Sequence, residues 1–143
     1  MKYKLINSTI HDIDRLIKYK KKTIYEYAPK LSIEEVNKIE NYVSKKVPEL
    51  LEYYSNIVVD NNIVGCLLIY SKDDGMLLDE IYIEENYRNK GIGTDIIKNI
   101  LEKNNIIYLY VYKDNIKAFN LYKRLGFNII EETESRYYMK YMR

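Results

Sequence analysis

A short glycine-bearing stretch, Arg88-Asn89-Lys90-Gly91-Ile92-Gly93, does most to restrict the folds open to this chain. It connects an apolar run from Met76 to Ile83, which predicts a strand, to a segment from Gly91 to Lys103 with helical spacing of apolar residues. In a strand–loop–helix unit the loop amides and the helix dipole attract an anion, and glycines let a phosphate approach the backbone. Arg88 and Lys90 add mobile cations. Taken alone, the pattern R-x-x-G-x-G also describes a plain tight turn into a helix, so the surrounding sequence must decide.

The length and composition predict one globular domain spanning residues 1–143. Hydrophobic residues make up 47% and charged residues 31% of the chain, which suits a soluble protein with a real core. No apolar run approaches the roughly 18 residues of a membrane span. The net charge of +2 gives no reason to expect a nucleic acid or a membrane as partner. Either a monomer or a homodimer is compatible with these features.

Two residue types that occur once limit the chemistry further. Because Cys66 is the only cysteine, no intrachain disulfide can form, and a cytoplasmic location is expected. Cys66 lies in the apolar run from Ile63 to Tyr70, which predicts a small core residue rather than a nucleophile. The single histidine, His11, excludes paired-histidine metal sites, and we expect no metal cofactor.

The remaining patterns predict elements in the order β-α-α-β-β-β-α-β-α-β-β, a mixed α/β (α+β) sheet with helices on both faces. Pro29 breaks the chain between the first two helices, and the second begins at a capping box, Ser32 to Glu35. The turn Asp60-Asn61-Asn62 joins a hairpin. The run from Ile106 to Tyr112 lacks alternation, as expected of a strand buried on both faces, and Gly126 ends the last helix.

Two blocks of this sequence resemble signature segments of the GNAT superfamily of acyl-CoA-dependent N-acyltransferases. The block from Asp79 to Gly93, DEIYIEENYRNKGIG, looks like the family's fourth strand and its R/Q-x-x-G-x-G/A loop. The block from Asn115 to Phe127, NIKAFNLYKRLGF, is similar to the family's N-x-x-A-x-x-x-Y-x-x-x-G-F signature. They stand in the family's order, and the likeness covers about residues 55 to 142. The resemblance implies a mostly antiparallel central sheet of about six to seven strands with a splay between strands 4 and 5.

The resemblance also implies a site for acetyl-CoA as co-substrate. The loop amides would bind its pyrophosphate, and the main chain of strand 4 at Ile81 and Ile83 would pair with the pantetheine arm like an added strand. Asn115 could cap its helix and contact the cofactor as well. The implied cofactor-binding residues are Ile81, Tyr82, Ile83, Arg88, Asn89, Lys90, Gly91, Ile92, Gly93, Thr94, Asn115, Phe119 and Tyr122.

Tyr122 resembles the family's tyrosine that protonates the departing CoA thiolate. Without the second block, its place on an apolar helical face would favour a buried packing role. With that block present, the resemblance implies that Tyr122 is a general acid.

Asp79 and Glu80 are the candidates for the general base. The acceptor amine must lose a proton to attack the thioester, and a strand carboxylate could take it directly or through water. Strand alternation predicts that the two side chains face opposite sides of the sheet, so only one could face the acceptor. We favour Glu80, and the alternative is a surface carboxylate that pairs with a lysine.

These implied roles describe an N-acetyltransferase that moves acetyl from acetyl-CoA to a primary amine of a small molecule or peptide by direct attack in a ternary complex. The alternative is a non-catalytic acyl-CoA-binding or sensing module on the same fold, against which the presence of Tyr122 and a strand carboxylate argues. The first two helices and the last two strands should line the acceptor pocket. An acidic and aromatic lining would suit a cationic amine. The candidate lining residues are Tyr25, Glu26, Tyr27, Tyr137 and Tyr138.

Overall fold

The computed structural model describes residues 1–28 and 30–143, so the predicted break at Pro29 lies outside the described residues. These residues form a seven-stranded sheet and four α-helices, and no helix among them is both long and apolar enough to cross a lipid bilayer. The elements are β1 (Lys4–Asn7), α1 (Ile13–Tyr27), α2 (Ile33–Glu49), β2 (Tyr54–Val59), β3 (Asn62–Lys72), β4 (Gly75–Ile83), α3 (Ile92–Lys103), β5 (Ile106–Tyr112), α4 (Ile116–Arg124), β6 (Asn128–Glu132) and β7 (Arg136–Met142).

The sheet has the strand order β1-β2-β3-β4-β5-β7-β6, and all neighbours are antiparallel except β4 and β5. This parallel pair is short, because only residues 76–78 of β4 pair with residues 107–109 of β5. Past these pairs the two strands diverge, which leaves a gap between them on the C-terminal side. The predicted mixed α/β fold, the element order and the splay between strands 4 and 5 are therefore confirmed.

Each face of the sheet carries its own hydrophobic core. Helices α1 and α2 pack over one face, where Leu16, Val43 and Val47 bury against the strand residues Tyr54 and Leu68. The other face packs against α3 and α4, with a core that includes Ile96, Ile107, Phe127 and Met139. Each helix buries one apolar stripe, and the sheet between them is covered on both sides.

Local sequence signals set several element boundaries as expected. Ser32 accepts a hydrogen bond from the Glu35 amide, and the Glu35 side chain caps in return, so the predicted capping box starts α2. Asp60 and Asn61 adopt positive φ values of 49° and 66°, which gives the tight turn between β2 and β3. Gly126, at φ 104°, follows α4 and ends it.

A β-bulge in β4 corrects the prediction that Asp79 and Glu80 face opposite sides of the sheet. Leu68 pairs with Glu80 and the next residue, Ile69, pairs with Leu78, so Asp79 is the extra residue of the bulge. The inserted residue breaks the alternation, and both carboxylates turn to the α1/α2 face. There the Tyr70 hydroxyl donates to Asp79 at 2.7 Å and the Tyr54 hydroxyl donates to Glu80 at 2.8 Å.

Candidate functional site

A cleft of about 510 Å³ lies where β4 leaves β5, bounded by the β4–α3 loop, the first turns of α3 and α4, and the end of α1. All of the predicted cofactor residues except Lys90 and Phe119 line it: Ile81, Tyr82, Ile83, Arg88, Asn89, Gly91, Ile92, Gly93, Thr94, Asn115 and Tyr122. Lys90 instead borders a groove beside the N-terminal residues, and the Phe119 ring packs on Tyr137 with centroids 4.9 Å apart. The two sequence blocks therefore meet in space at one concavity.

The start of α3 presents free backbone donors to this cleft. Gly91 is the N-cap residue, with φ 84°, and no side chain of the described residues caps the helix. The first backbone bond of the helix runs from the Asp95 amide to the Gly91 carbonyl at 3.0 Å, so the amides of residues 92–94 have no partner within the helix. These amides and the helix dipole make the site suited to an anion.

The Arg88 side chain braces the end of β4 rather than serving as the mobile cation that the sequence led us to expect. Its Nε donates to the Ile83 carbonyl at 2.6 Å. The guanidinium lies 5.3 Å from the centroid of the Tyr82 ring and 4.0 Å from the Glu26 carboxylate. The positive charge of Arg88 is thus fixed at one wall of the cleft.

The free edge of β4 also faces the cleft. The Glu84 amide donates to the carbonyl of Val64 in the neighbouring strand β3 at 2.7 Å. Because backbone groups alternate in direction along a strand, those of Ile83 and Ile81 point the other way, toward the gap between β4 and β5. This is the orientation that an extended ligand would need to pair with the strand.

Tyr122 is buried on α4 and reaches the same cleft. Its ring packs on Phe127 at a centroid distance of 5.6 Å and a tilt of 60°. Burial raises the pKa of Tyr122 to about 12, so the hydroxyl keeps its proton at neutral pH. No hydrogen bond to this hydroxyl is formed within the part of the chain that the structure describes.

Glu80 lies at the centre of a buried polar cluster. Besides the Tyr54 hydroxyl, it accepts from the Cys66 thiol at 3.2 Å and from Lys20 Nζ at 3.3 Å. Lys20 itself is only 8% exposed. Burial alone would lower the pKa of Lys20, but the carboxylates of Glu80 and Asp79 raise it above its ordinary value, so Glu80 faces an ammonium group. Asp79, in contrast, is partly exposed, and among residues 1–28 and 30–143 Tyr70 is its one hydrogen-bond donor.

Sequence reasoning missed Lys20, although a signal was present. Lys20 follows Leu16 by four residues, so it falls on the buried stripe of α1. A cation on an apolar helical stripe needs a buried partner, and Glu80 is that partner. The prediction that Cys66 is a core residue is confirmed, because it is fully buried and burial raises the pKa of its thiol.

The predicted acceptor residues do not form one pocket. Glu26 and Tyr27 line the cleft, and Tyr25 borders an adjoining groove of about 1050 Å³. Tyr137 packs on Phe119 beside the α3/α4 core. Tyr138 lies on the opposite face of the sheet and stacks on Tyr110 with centroids 4.4 Å apart.

Known proteins resemble this chain in sequence. The family model described as "Acetyltransferase (GNAT) family" matches residues 13–127. The spermine/spermidine N(1)-acetyltransferase of Bacillus subtilis strain 168 is 31% identical over 91 residues, which are 57% of this chain and 60% of that protein. The thialysine N-epsilon-acetyltransferase of Mus musculus is 35% identical over 99 residues, 64% of this chain and 57% of that protein. The matches thus span less than two thirds of these relatives.

Solved structures share the fold over the whole chain. The PaiA N-acetyltransferase of Thermoplasma acidophilum, in complex with coenzyme A, superposes with a TM-score of 0.78 at 20% identity and full coverage of both chains. Ard1 of Thermoplasma volcanium superposes with a TM-score of 0.70 at 15% identity, covering 99% of this chain and 98% of that one.

Proposed function

Because the chain belongs to the GNAT family of acetyltransferases, we propose that it transfers an acetyl group from acetyl-CoA to a primary amine by direct attack in a ternary complex. One observation carries the proposal. The uncapped start of α3, the free edge of β4 and the Tyr122 hydroxyl converge on a single cleft. The acetyltransferase names of the matched Bacillus and mouse proteins support the same reaction class.

The residues of the cleft fit acetyl-CoA as co-substrate. The amides of residues 92–94 suit the pyrophosphate, because they stand at a helix N-terminus and have no partner within the helix. The backbone of Ile81 and the amide of Ile83 suit the amide groups of the pantetheine arm, because an exposed strand edge can pair with an extended chain, whereas the Ile83 carbonyl already accepts from Arg88. Thr94 and Asn115 add side-chain polar groups to the lining.

The proposed step needs one proton acceptor and one proton donor. The amine nitrogen attacks the thioester carbonyl carbon, the C–S bond breaks, and the sulfur leaves with the electron pair. Tyr122 donates its hydroxyl proton to the leaving sulfur, which its high pKa permits because the group is protonated at neutral pH. The proton of the amine passes to a carboxylate of β4, directly or through water.

The contacts favour Asp79 over Glu80 as that carboxylate, which reverses the preference drawn from the sequence. Glu80 is 7% exposed and already accepts from Lys20, Tyr54 and Cys66. Asp79 is more exposed and lies next to the splay, and in the described part of the chain it has one hydrogen-bond donor, Tyr70. We therefore propose Asp79 as the base and Glu80 as the counter-charge of Lys20.

Direct attack is supported by the state of the single cysteine. A covalent acyl-enzyme would need a reachable thiolate. The Cys66 thiol is fully buried and donates to Glu80, and burial raises its pKa.

The activity can be tested with acetyl-CoA and a panel of amines that includes spermidine, lysine, an aminoglycoside and peptides with free N-termini. Thiol release together with one mole of acetylated amine per mole of thiol, measured by mass spectrometry, would support the proposal. Calorimetric binding of acetyl-CoA with no turnover on any amine would instead support an acyl-CoA-binding or sensing module. The names of the matched relatives give different acceptors, so kinship alone does not fix the amine.

A further inference from the structure

Beyond the splay, the α1/α2 side of the sheet carries a row of tyrosines that we call the tyrosine face: Tyr108, Tyr110 and Tyr112 of β5 and Tyr138 of β7. Tyr138 stacks on Tyr110 and on Tyr108 with centroids 4.4 Å and 5.6 Å apart. Helices α1 and α2 pack on the neighbouring strands β3 and β4, and Tyr110 remains 39% exposed. Tyr108 is buried at 7% exposure and Tyr27 of α1 stacks on Tyr112, so Tyr110 is the open part of this face beside the candidate site.

Cations lie on these rings. Lys72 Nζ is 5.6 Å from the Tyr110 centroid and 5.0 Å from that of Tyr138. The Arg136 guanidinium is 4.5 Å from the Tyr110 centroid. Within the described residues neither cation has a carboxylate within 4.0 Å. Burial alone would lower the pKa of Lys72, but the two tyrosines and, from a longer distance, Asp73 raise it. No ion pair among these residues occupies either cation, so an anion could still bind both.

The tyrosine face is continuous with the proposed amine site. Asp79 and Tyr110 are the first residues after the last β4–β5 pair, Leu78 with Leu109, and so stand on the two sides of the opening gap. Lys72 follows Tyr70 by two residues on β3, and the Tyr70 hydroxyl binds Asp79, so all three share one face. An acceptor with its amine at Asp79 would extend over Tyr110.

We propose that the acceptor carries an anionic group, a carboxylate or a phosphate, besides its primary amine, and that Lys72 and Arg136 bind this group over the Tyr110 ring. The inference rests on the proposed function and names the substrate class of the same site. The carboxylate of Asp79 faces the amine and the two cations face the anion, so the charges of the site match a zwitterion. A polyamine would place its further ammonium groups against Lys72 and Arg136, which is a repulsive arrangement.

Matched pairs of amines that differ in the anionic group test the proposal: 6-aminohexanoate against hexylamine, and phosphoethanolamine against ethanolamine, with spermidine as the polycation. We expect kcat/KM from thiol release to favour the anionic member of at least one pair about tenfold, and the better pair separates carboxylate from phosphate. The preference should weaken in 0.5 M salt, because exposed charges are screened to about 4 Å there.

The variants Arg136→Gln and Lys72→Gln should each lower that preference several-fold and raise kcat/KM for spermidine. Lys113→Gln is the matched control, because it removes a cation 5.2 Å from the Tyr137 centroid on the other face of the sheet. A wild-type preference for hexylamine or spermidine would overturn the proposal, as would a preference that both variants leave unchanged. If no amine releases thiol, the proposed function fails too, whereas turnover without anion preference rejects the acceptor proposal alone.

Discussion

At the residue scale, Tyr122 and Glu80 are both buried, but their polar atoms meet different surroundings. The Tyr122 hydroxyl borders the cleft, and the described residues offer it no hydrogen-bond partner. The Glu80 carboxylate is surrounded by a lysine, a tyrosine and a thiol. These surroundings are consistent with the proposed role of Tyr122 as proton donor, whereas Glu80 neutralises the buried charge of Lys20.

Tyr122→Phe keeps the ring and removes only the hydroxyl. If Tyr122 protonates the leaving thiolate, kcat should fall by about 10²-fold, in the usual range for a lost general acid. Acetyl-CoA affinity, measured by calorimetry, should hardly change because the packing on Phe127 survives. A variant with the wild-type kcat would return Tyr122 to a packing role.

The two carboxylates of the bulge should separate into a structural and a chemical role. Glu80→Gln leaves the Lys20 ammonium buried without its counter-charge, so the free energy of unfolding in urea should fall by about 3–5 kcal/mol. Asp79→Asn should leave stability nearly unchanged and lower kcat at pH 7 by at least tenfold. Part of that loss should return at high pH, where more of the acceptor amine is already neutral.

A double substitution controls this comparison. Lys20→Met combined with Glu80→Gln removes both charges, and it should recover much of the stability that Glu80→Gln loses. The assignment of roles reverses if Glu80→Gln, in this stabilised background, loses activity while Asp79→Asn does not. Small losses for both would mean that water or the acceptor's own equilibrium supplies the free amine.

At the element scale, the strand–loop–helix unit brings together the groups that would bind the pyrophosphate under the proposed function. Gly93 lets the helix start lie close to the end of β4, because a Cβ at this position would be 3.3 Å from Ile83 Cδ1. Gly93→Val adds a branched side chain at that point and should weaken acetyl-CoA binding at least tenfold, an energy of roughly 1.4 kcal/mol. Isothermal titration measures this loss.

Lys98→Val is the matched control for Gly93→Val, because it places the same β-branched residue at an exposed position of α3. It should bind acetyl-CoA as the wild type does. Equal affinity for both folded variants would count against the loop as the pyrophosphate site.

The elements of this site were predictable to different degrees. The glycine loop, the capping box at Ser32 and Gly126 are local signals, so the sequence alone predicts where α2 and α3 begin and where α4 ends. The bulge at Asp79 is not local: it follows from how β3 and β4 match in register, and no residue pattern in β4 marks it. The partnership of Lys20 with Glu80 and the place of Tyr138 also depend on packing between distant segments.

At the scale of the whole molecule, the N-terminal segment is fastened to the sheet through Asp12. Burial alone would raise the pKa of Asp12, but hydrogen bonds from Arg15, the Thr9 amide and Asn56 lower it to about 2. The unfolded chain takes up this proton near pH 3.8. The contribution of Asp12 to stability is thus complete above about pH 4 and is lost as the pH falls toward 2.

Asp12→Asn should therefore lower the free energy of unfolding at pH 7 by about 1–3 kcal/mol, the usual loss for a buried hydrogen-bonded partner. The gap between variant and wild type should narrow when unfolding in urea is repeated near pH 2. Asp14→Asn is the control, because Asp14 is exposed on α1 and makes no such contacts among the described residues. If the difference in the free energy of unfolding stays constant with pH, Asp12 contributes through its packing rather than through its charge.

Because β4 and β5 pair over only three residues each, the sheet consists of two parts, β1 to β4 and β5 to β7, that share one short junction. Separation of the two parts at this junction breaks few backbone hydrogen bonds, so it should be among the local openings of the sheet that cost least free energy. A pantetheine arm paired with Ile81 and Ile83 would fill the gap beyond the junction and connect the two parts of the sheet. In hydrogen–deuterium exchange, saturating acetyl-CoA should slow exchange most in residues 79–83 and 110–112 and leave the β2–β3 turn unchanged. If exchange slows uniformly over the whole sheet, acetyl-CoA stabilises the folded state by mass action and does not connect the two parts of the sheet specifically.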